Sequence, residues 1–174
     1  MAALATTLVL GGARSGKSTF AERLVRDSGL ACTFIATATA GDEEMRARIA
    51  QHRVERDKDW RTVEEPLAVA EVIARESAAD RVILIDCLTL WLSNLMHAGR
   101  NVEAEIQKLL AAIDGPQSPL VLVSNEVGLG IVPDTPLGRS FRDAQGRLNQ
   151  QVAAVAPNVV LLAAGIPLWL KRAL

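Results

Sequence analysis

Eight residues near the start of the chain have the types and the spacing of a phosphate-binding loop. They are Gly11, Gly12, Ala13, Arg14, Ser15, Gly16, Lys17 and Ser18, and they match the pattern GxxxxGK[ST]. In that pattern the glycines let backbone N–H groups converge on phosphate oxygens, the lysine reaches the β- and γ-phosphates, and the last hydroxyl binds Mg²⁺. A strand-like run over residues 7–10 precedes the motif, and a helix-like run follows from residue 19. The motif therefore predicts a nucleoside triphosphate site in which Lys17 binds phosphate and Ser18 binds Mg²⁺.

Asp86 is a second candidate ligand, because it directly follows an apolar run over residues 82–85. Ligands of α/β proteins bind at the carboxyl ends of the strands, where such a carboxylate can hold Mg²⁺ beside a phosphate-binding loop. We predict that Asp86 binds Mg²⁺ or the nucleotide. The alternative is a structural role, in which Asp86 caps a helix over residues 88–95.

His52 is a candidate nucleophile. On the helix expected over residues 42–56, it shares one face with the apolar Met45 and Ile49. Its neighbours in sequence and on the adjacent turns are the basic Arg48, Arg53 and Arg56. Positive neighbours disfavour the imidazolium, and a neutral ring can attack phosphorus while the arginines bind phosphate oxygens. The residues alone leave open the alternative that His52 is a half-buried helix residue beside solvated arginines.

The apolar residues occur in short continuous runs, which indicates strands that are covered on both faces. These runs are residues 7–10, 33–36, 82–85, 120–123 and 159–163, and helix-like stretches cover residues 19–28, 42–56, 67–78, 103–113 and 137–156. Together with the phosphate-binding loop, this alternation predicts a RecA-like P-loop NTPase domain of the α/β class, with a mainly parallel central sheet flanked by helices. Residues 168–170, joined to the fifth run through Gly165, Ile166 and Pro167, predict an antiparallel hairpin at the sheet edge. We expect one domain over residues 1–174.

Composition excludes several other classes of protein. The chain has 174 residues, of which 49% are hydrophobic, and a formal net charge of −1, so that bulk charge gives no reason to bind nucleic acid or an anionic membrane. The apolar stretch over residues 159–170 is too short to span a membrane. Cys32 and Cys87 have no metal-binding spacing, and we expect two reduced, buried thiols in a cytoplasmic protein.

Other nucleotide-site patterns are weak or absent. The sequence contains no NKxD motif, and the DxxG match at residues 143–146 falls in a helix-like stretch instead of following a strand. Gly128 and Gly130 lack the third glycine of a dinucleotide-binding turn. His97 lies at an expected helix end, and we interpret it as structural.

Taken together, these residues resemble the bifunctional adenosylcobinamide kinase/adenosylcobinamide-phosphate guanylyltransferases of cobalamin biosynthesis, over nearly the whole chain. The phosphate-binding loop is common to many proteins, whereas the stretches around His52 and over residues 60–66 and 125–133 are far more specific. The matching stretches are residues 11–18, 34–37, 42–45, 48–49, 52–53, 60–66, 85–94, 124–133, 141–143 and 146–150.

The resemblance implies two reactions at one site. Adenosylcobinamide is phosphorylated on its aminopropanol hydroxyl with ATP or GTP, and GMP is then transferred from GTP to adenosylcobinamide phosphate. The products are adenosylcobinamide-GDP and pyrophosphate. By its position in the family pattern, His52 is the residue that carries GMP during the transfer. The implied nucleotide contacts are residues 11–18 with Ala36, Thr37, Ala38, Arg53, Val54, Glu55, Arg56, Glu64 and Asp86.

The residues agree with most of these contacts but leave some roles open. Glu64 can accept a hydrogen bond from the N–H edge of guanine, or it can be a surface carboxylate, and which acid reads guanine is undecided. Asn125 and Glu126 end an expected strand and face the corrinoid or the nucleotide, with a turn-forming role as the alternative. The resemblance also implies a homo-oligomer, with a trimer as one arrangement.

Three other functions remain as alternatives. The chain could be a P-loop kinase for another small metabolite, with His52 merely structural, or a nucleotide-binding regulatory module without transferase chemistry. A nucleic-acid-stimulated ATPase is the least favoured, because charge is balanced and the only aromatic residues are three Trp and three Phe.

Overall fold

The computed structural model describes residues 4–39, 43, 59–115 and 117–173. Within these residues the chain forms a seven-stranded sheet of order β3-β2-β4-β5-β1-β6-β7. All neighbouring strands are parallel except the antiparallel pair β6 and β7, as the sequence predicts. The strands are β1 Thr7–Gly11, β2 Ala31–Ala36, β3 Arg61–Glu64, β4 Arg81–Asp86, β5 Leu120–Asn125, β6 Asn158–Ala163 and β7 Ile166–Lys171.

The helices connect these strands, and their ends follow local hydrogen bonds. They are α1 Lys17–Ser28, α2 Val69–Glu76, α3 Leu88–His97, α4 Val102–Asp114 and α5 Pro136–Val155. Asn101 and Thr135 precede α4 and α5, and their side chains accept bonds from the N–H groups of Ala104 and Gly138. The described helices agree with the expected stretches to within about two residues at each end. The helix expected over residues 42–56 lies outside the described residues apart from Glu43.

Strands β1, β2, β4, β5 and β6 are mostly buried on both faces, which explains their continuous apolar runs. Leu8 and Leu10 pack into a cluster with α2 to α5 on one face of the sheet. Val9 points to the opposite face, where it packs with Phe20 and Val25 of α1. Successive side chains of β1 therefore contact helices on opposite sides of the sheet. The phosphate-binding loop follows the last residue of β1, at the carboxyl edge of the sheet.

Strand β3 was not predicted from the sequence. It has only four residues, and most of them are exposed, so it carries no apolar run. Two long-range contacts hold it instead. The guanidinium of Arg61 donates to the buried Glu76 across 3.0 Å, and Trp60, next to the strand, stacks on Phe34 with ring centroids 6.3 Å apart. Its pairing therefore depends on residues distant in sequence.

The antiparallel edge hairpin is confirmed, but the predicted connection was wrong. Ile166 and Pro167 already belong to β7, and the turn is formed by Ala164 and Gly165, with φ angles of 51° and 79°. Two consecutive residues with positive φ form the tight turn that matches the right-handed twist of paired strands. Pro167 fits β7 because an edge strand does not need every backbone donor.

Candidate functional site

The phosphate-binding loop connects the end of β1 to the start of α1. Gly11 ends the strand, and a Cβ atom there would lie 2.8 Å from the carbonyl oxygen of Leu162, so only glycine fits. Gly16 adopts a left-handed conformation, with φ of 89°, directly before Lys17 begins the helix. The Lys17 ammonium donates to the carbonyl oxygen of Gly12 across 3.1 Å. The loop is therefore shaped for phosphate, with its lysine held beside it.

The register of the sheet brings three predicted contact residues together at the carboxyl edge. Ala36 of β2 pairs with Glu64 on one side and with Asp86 on the other. Strand β5 lies between β4 and β1, so that Asp86 stands two strands, or about 10 Å, from the loop strand. Strand β5 ends with Asn125, which pairs with Gly11, the last residue of the loop strand β1. This edge can hold a nucleotide along a line from the loop to Glu64.

Asp86 is the last residue of β4, and the alternative that it caps the following helix was wrong. The residue that precedes α3 as its N-cap is Cys87, not Asp86. Ser18, the other predicted Mg²⁺ ligand, lies in the first turn of α1 and is half-buried. The two residues offer a carboxylate and a hydroxyl oxygen, the ligand chemistry that Mg²⁺ prefers.

Thr37 is placed differently from its two neighbours in the predicted contact stretch. It is fully buried, and its hydroxyl donates to the carbonyl oxygen of Cys87 and accepts from the N–H of Cys87, both at 2.8 Å. Ala36 and Ala38, on either side, are half-buried. Thr37 thus fastens the end of β2 to the end of β4, and the small alanines leave space above them.

Glu64 and Glu65 lie in different surroundings. Glu65 accepts hydrogen bonds from the N–H groups of Leu67 and Ala68 at 2.9 and 2.8 Å, so its carboxylate holds the chain entering α2. Glu64 is exposed at the end of β3, beside Ala36. Of these two acids, Glu64 is the one whose position allows it to meet a ligand at the edge.

Cys87 lies beneath this edge as a buried thiol. Burial raises the pKa of the Cys87 thiol to about 11, and the negative charge of Asp86 acts in the same direction. The ammonium of Lys17 acts in the opposite direction. Cys32 and Cys87 are both buried and form no disulfide, as expected from the sequence. Cys87 is therefore a protonated packing residue at neutral pH.

Sequence reasoning did not single out two groups that shape the edge. Asn94 of α3 donates to the carbonyl oxygens of Thr37 and Pro66 at 2.7 and 3.1 Å. The hydroxyl of Thr89 accepts from the N–H of Asn125 at 2.8 Å. Both are short polar residues on an apolar helix, and both lie in the family-like stretch 85–94, but neither signal indicated which segments they would bond.

A buried polar network supports the end of β5. Ser124, Gln145 and Asn149 bond one another at distances of 2.7 to 3.0 Å, and Asn149 donates to the carbonyl oxygen of Asn125. The next residue, Glu126, donates its N–H to the carbonyl oxygen of Gly11 at 3.0 Å. Its carboxylate accepts from the N–H of Gly128 at 2.6 Å, which agrees with the turn-forming alternative for Glu126.

Several expected site residues lie outside the described part of the chain. They are His52, Arg53, Val54, Glu55 and Arg56. His97 is the exposed last residue of α3, with Nδ1 2.7 Å from the carbonyl oxygen of Ser93, in agreement with a structural role. In the described ranges, no cluster of three His, Cys, Asp or Glu side chains could hold a metal ion. No helix of the same ranges combines the length and the apolarity needed to cross a bilayer.

A phosphate-binding loop between the first strand and helix of a mainly parallel, doubly covered sheet defines a P-loop nucleotide-binding domain. The family model described as "cobinamide kinase / cobinamide phosphate guanyltransferase" (CobU) matches residues 7–170. The chain belongs to this family.

Curated relatives agree with this membership. The chain is 49% identical over 166 residues to the bifunctional adenosylcobalamin biosynthesis protein CobP of Pseudomonas aeruginosa, covering 94% of this chain and 96% of the relative. It is 43% and 42% identical to the proteins named bifunctional adenosylcobalamin biosynthesis protein CobU of Escherichia coli and Salmonella typhimurium, in each case over 94% of this chain and 98% of the relative.

Solved structures of low identity support the fold. A protein of Pyrococcus horikoshii matches with a TM-score of 0.58 at 10% identity, covering 97% of this chain and 86% of the other. The P4 protein of bacteriophage phi6 in complex with ADP matches with a TM-score of 0.50 at 17% identity, covering 94% of this chain and 54% of the other. Both likenesses concern the fold alone.

Proposed function

We propose that this chain phosphorylates adenosylcobinamide with ATP or GTP and then transfers GMP from GTP to adenosylcobinamide phosphate. The observation that carries the proposal is the alignment of the phosphate-binding loop, Asp86 and Glu64 along one edge of the sheet, in a chain of the cobinamide kinase / cobinamide phosphate guanyltransferase family. The alternative functions considered from the sequence have no comparable support from these relatives.

The nucleotide phosphates bind at the loop over residues 11–18. The Lys17 ammonium exchanges its bond to the carbonyl oxygen of Gly12 for phosphate oxygens, and loop N–H groups and the start of α1 add further positive potential. Ser18 and Asp86 would hold Mg²⁺, which supplies neutralisation of phosphate charge. A Mg²⁺ ion bound mainly through phosphates and water needs only one or two protein oxygens.

The kinase step needs mainly positioning. The oxygen of the aminopropanol hydroxyl forms a bond to the γ-phosphorus, the bond from that phosphorus to the β,γ-bridging oxygen breaks, and the hydroxyl proton is released. Little covalent chemistry is required of the protein, because phosphoryl transfer depends on alignment and charge neutralisation. Lys17 and the loop supply both.

The guanylyl step uses His52 as nucleophile. A ring nitrogen attacks the α-phosphorus of GTP, the bond to the α,β-bridging oxygen breaks, and pyrophosphate leaves. A phosphate oxygen of adenosylcobinamide phosphate then attacks the same phosphorus and breaks the P–N bond, which returns the neutral histidine. Two steps preserve the energy of the α–β bond in the reactive P–N bond. Arg53, Val54, Glu55 and Arg56 complete the nucleotide contacts in this proposal.

Glu64 reads the guanine base in the same proposal, by accepting hydrogen bonds from its N–H edge. Its exposure at the carboxyl end of β3 supports the assignment, and so does the engagement of Glu65 with Leu67 and Ala68. Ala36, Thr37 and Ala38 line the path between the phosphates and this base, with the Thr37 side chain acting from beneath.

A homo-oligomer, such as a trimer, is also part of the proposal. The edge strand β7 presents three exposed apolar side chains on alternating positions, Ile166, Leu168 and Leu170, as an edge that pairs with another copy would. Light scattering of the purified protein measures the assembly. A cytoplasmic location agrees with nucleoside triphosphate substrates and with two free cysteines.

Incubation with GTP labelled at the α-phosphate tests the central step. We expect the label to become attached to the protein in the presence of Mg²⁺, to be labile in acid and stable in base, and to leave when adenosylcobinamide phosphate is added. A wild-type protein that stays unlabelled under these conditions would contradict the histidine–GMP mechanism. Transfer of the γ-phosphate without such labelling would instead indicate a kinase alone.

A further inference from the structure

Asn94 joins the two strand ends that flank the proposed base-binding part of the site. Its side-chain amide donates to the carbonyl oxygens of Thr37 and Pro66 at 2.7 and 3.1 Å. Its Oδ1 atom accepts from the hydroxyl of Thr39 at 3.2 Å. Both N–H groups of the amide therefore donate hydrogen bonds, and its oxygen accepts one. Their partners lie in the segments that follow β2 and β3.

These two segments contain the residues that the proposed function assigns to the nucleoside. Thr37 lies between Ala36 and Ala38, after β2, and Pro66 follows Glu64 by two positions, after β3. Strands β2 and β3 are paired as far as Ala36 and Glu64, so the sheet itself holds their last residues. Beyond that pair, the N–H of Glu65 still bonds the carbonyl oxygen of Ala36 at 3.0 Å, and the next described link between the segments is Asn94.

The chemistry of the amide makes Asn94 difficult to replace. Two carbonyl oxygens need two donors, and a carboxylate at this position would offer none and would face both oxygens with negative charge. Asn94 comes from a rigid element, since α3 is anchored by the fully buried Leu92 and Leu95. The helix therefore sets the separation of the two segments through one side chain.

We propose that Asn94 is a positioning residue for guanine nucleotides: it holds the segment of Ala36 and Ala38 at a fixed distance from Glu64, so that the nucleoside fits between them. The proposal rests on the proposed function for the identity of the base. The phosphate-binding loop has no described contact with Asn94, so the site for the phosphates does not depend on this residue.

Calorimetric titration with GDP and with pyrophosphate, both with Mg²⁺, separates these two parts of the site. We expect Asn94→Ala to raise the Kd of GDP about tenfold, the effect of one or two hydrogen bonds, and to change the Kd of pyrophosphate less than about twofold. Asn94→Asp should weaken GDP binding at least as much. Thr39→Val, which removes only the exposed bond, should have a smaller effect. Ser93→Ala, on the same helix, is the matched control and should bind GDP as the wild type does.

Amide hydrogen exchange gives a second readout that does not depend on the base. In Asn94→Ala, the amides of Thr37, Leu67 and Ala68 should exchange faster, while that of Phe20 in α1 should not change. Unchanged GDP binding and unchanged exchange would overturn the proposal, and so would equal weakening of GDP and pyrophosphate. A wild type that binds GDP no better than pyrophosphate would instead contradict the proposed guanine site, while the exchange result would still decide whether Asn94 positions the segments.

Discussion

Gly165 donates its backbone N–H to the carbonyl oxygen of Ser15 across 2.9 Å, so the turn of the C-terminal hairpin supports the phosphate-binding loop. The contact is close, because a Cβ atom on Gly16 would lie 3.2 Å from the Cα atom of Gly165. The last two strands are thus more than an edge of the sheet. They hold the loop from the side opposite to β5.

The contact predicts that Gly165→Ala weakens nucleotide binding. The φ of 79° at Gly165 is strained for alanine, at a cost of about 1 kcal/mol, although space for the methyl group is open. The turn should shift to relieve this strain and carry Ser15 with it, raising the Kd of GDP. Gly29→Ala is the matched control, since Gly29 has φ of 68°, also with open space, at the far end of α1. Equal Kd values for the two variants, at equal loss of stability, would contradict the prediction.

Glu64 and Glu65 should respond differently to the same substitution. Glu64→Ala should reduce the preference for GTP over ATP in nucleotide binding and leave the melting temperature nearly unchanged, because its side chain is exposed. Glu65→Ala should lower the free energy of unfolding by about 1–2 kcal/mol, because the N–H groups of Leu67 and Ala68 lose their acceptor. Competition titrations and urea unfolding measure the two effects. A loss of base preference in Glu65→Ala alone would reverse the assignment.

Histidine substitution should separate the two proposed reactions. His52→Ala should abolish protein labelling by α-labelled GTP and retain γ-phosphate transfer to adenosylcobinamide, because only the first needs the nucleophile. Lys17→Ala should impair both. The other histidine supplies the control, since the hydrogen bonds that His97 makes within the described residues are to Ser93 on its own helix, and His97→Ala should keep both activities. Labelling that survives in His52→Ala would place the nucleophile elsewhere.

The buried thiol of Cys87 predicts a loss of stability at high pH. Its pKa is raised from 9.0 to about 11 by burial and by Asp86, so the folded state resists ionisation more than the unfolded state. The stabilisation is fully present below pH 9 and is lost as the pH rises through 11, to a limit of about 2–3 kcal/mol. Urea unfolding of wild type and Cys87→Ala from pH 7.5 to 10.5 measures it. Other titrating groups cancel in the comparison, and parallel curves for the two proteins would refute the prediction.

Residues close in the chain were predictable because local rules govern them. The phosphate-binding loop depends on eight consecutive residues, and the alternation of apolar runs with helical stretches reflects burial of each strand on both faces. The family resemblance follows from the same linear order, and the comparisons confirm it. The class of fold, the family and the edge hairpin were therefore readable from the sequence by itself.

The tertiary structure decided which residues of that edge are exposed and which are buried or hold neighbouring segments together. Thr37 and Glu65 are bonded to Cys87 and to the start of α2, whereas Glu64 at the end of β3 is exposed. Asn94 reaches segments 57 and 28 positions away. Strand β3 itself forms without an apolar run of its own. The physical reason is the same in each case: hydrogen bonds and ring contacts between distant residues depend on the order and register of the strands, which no local pattern specifies.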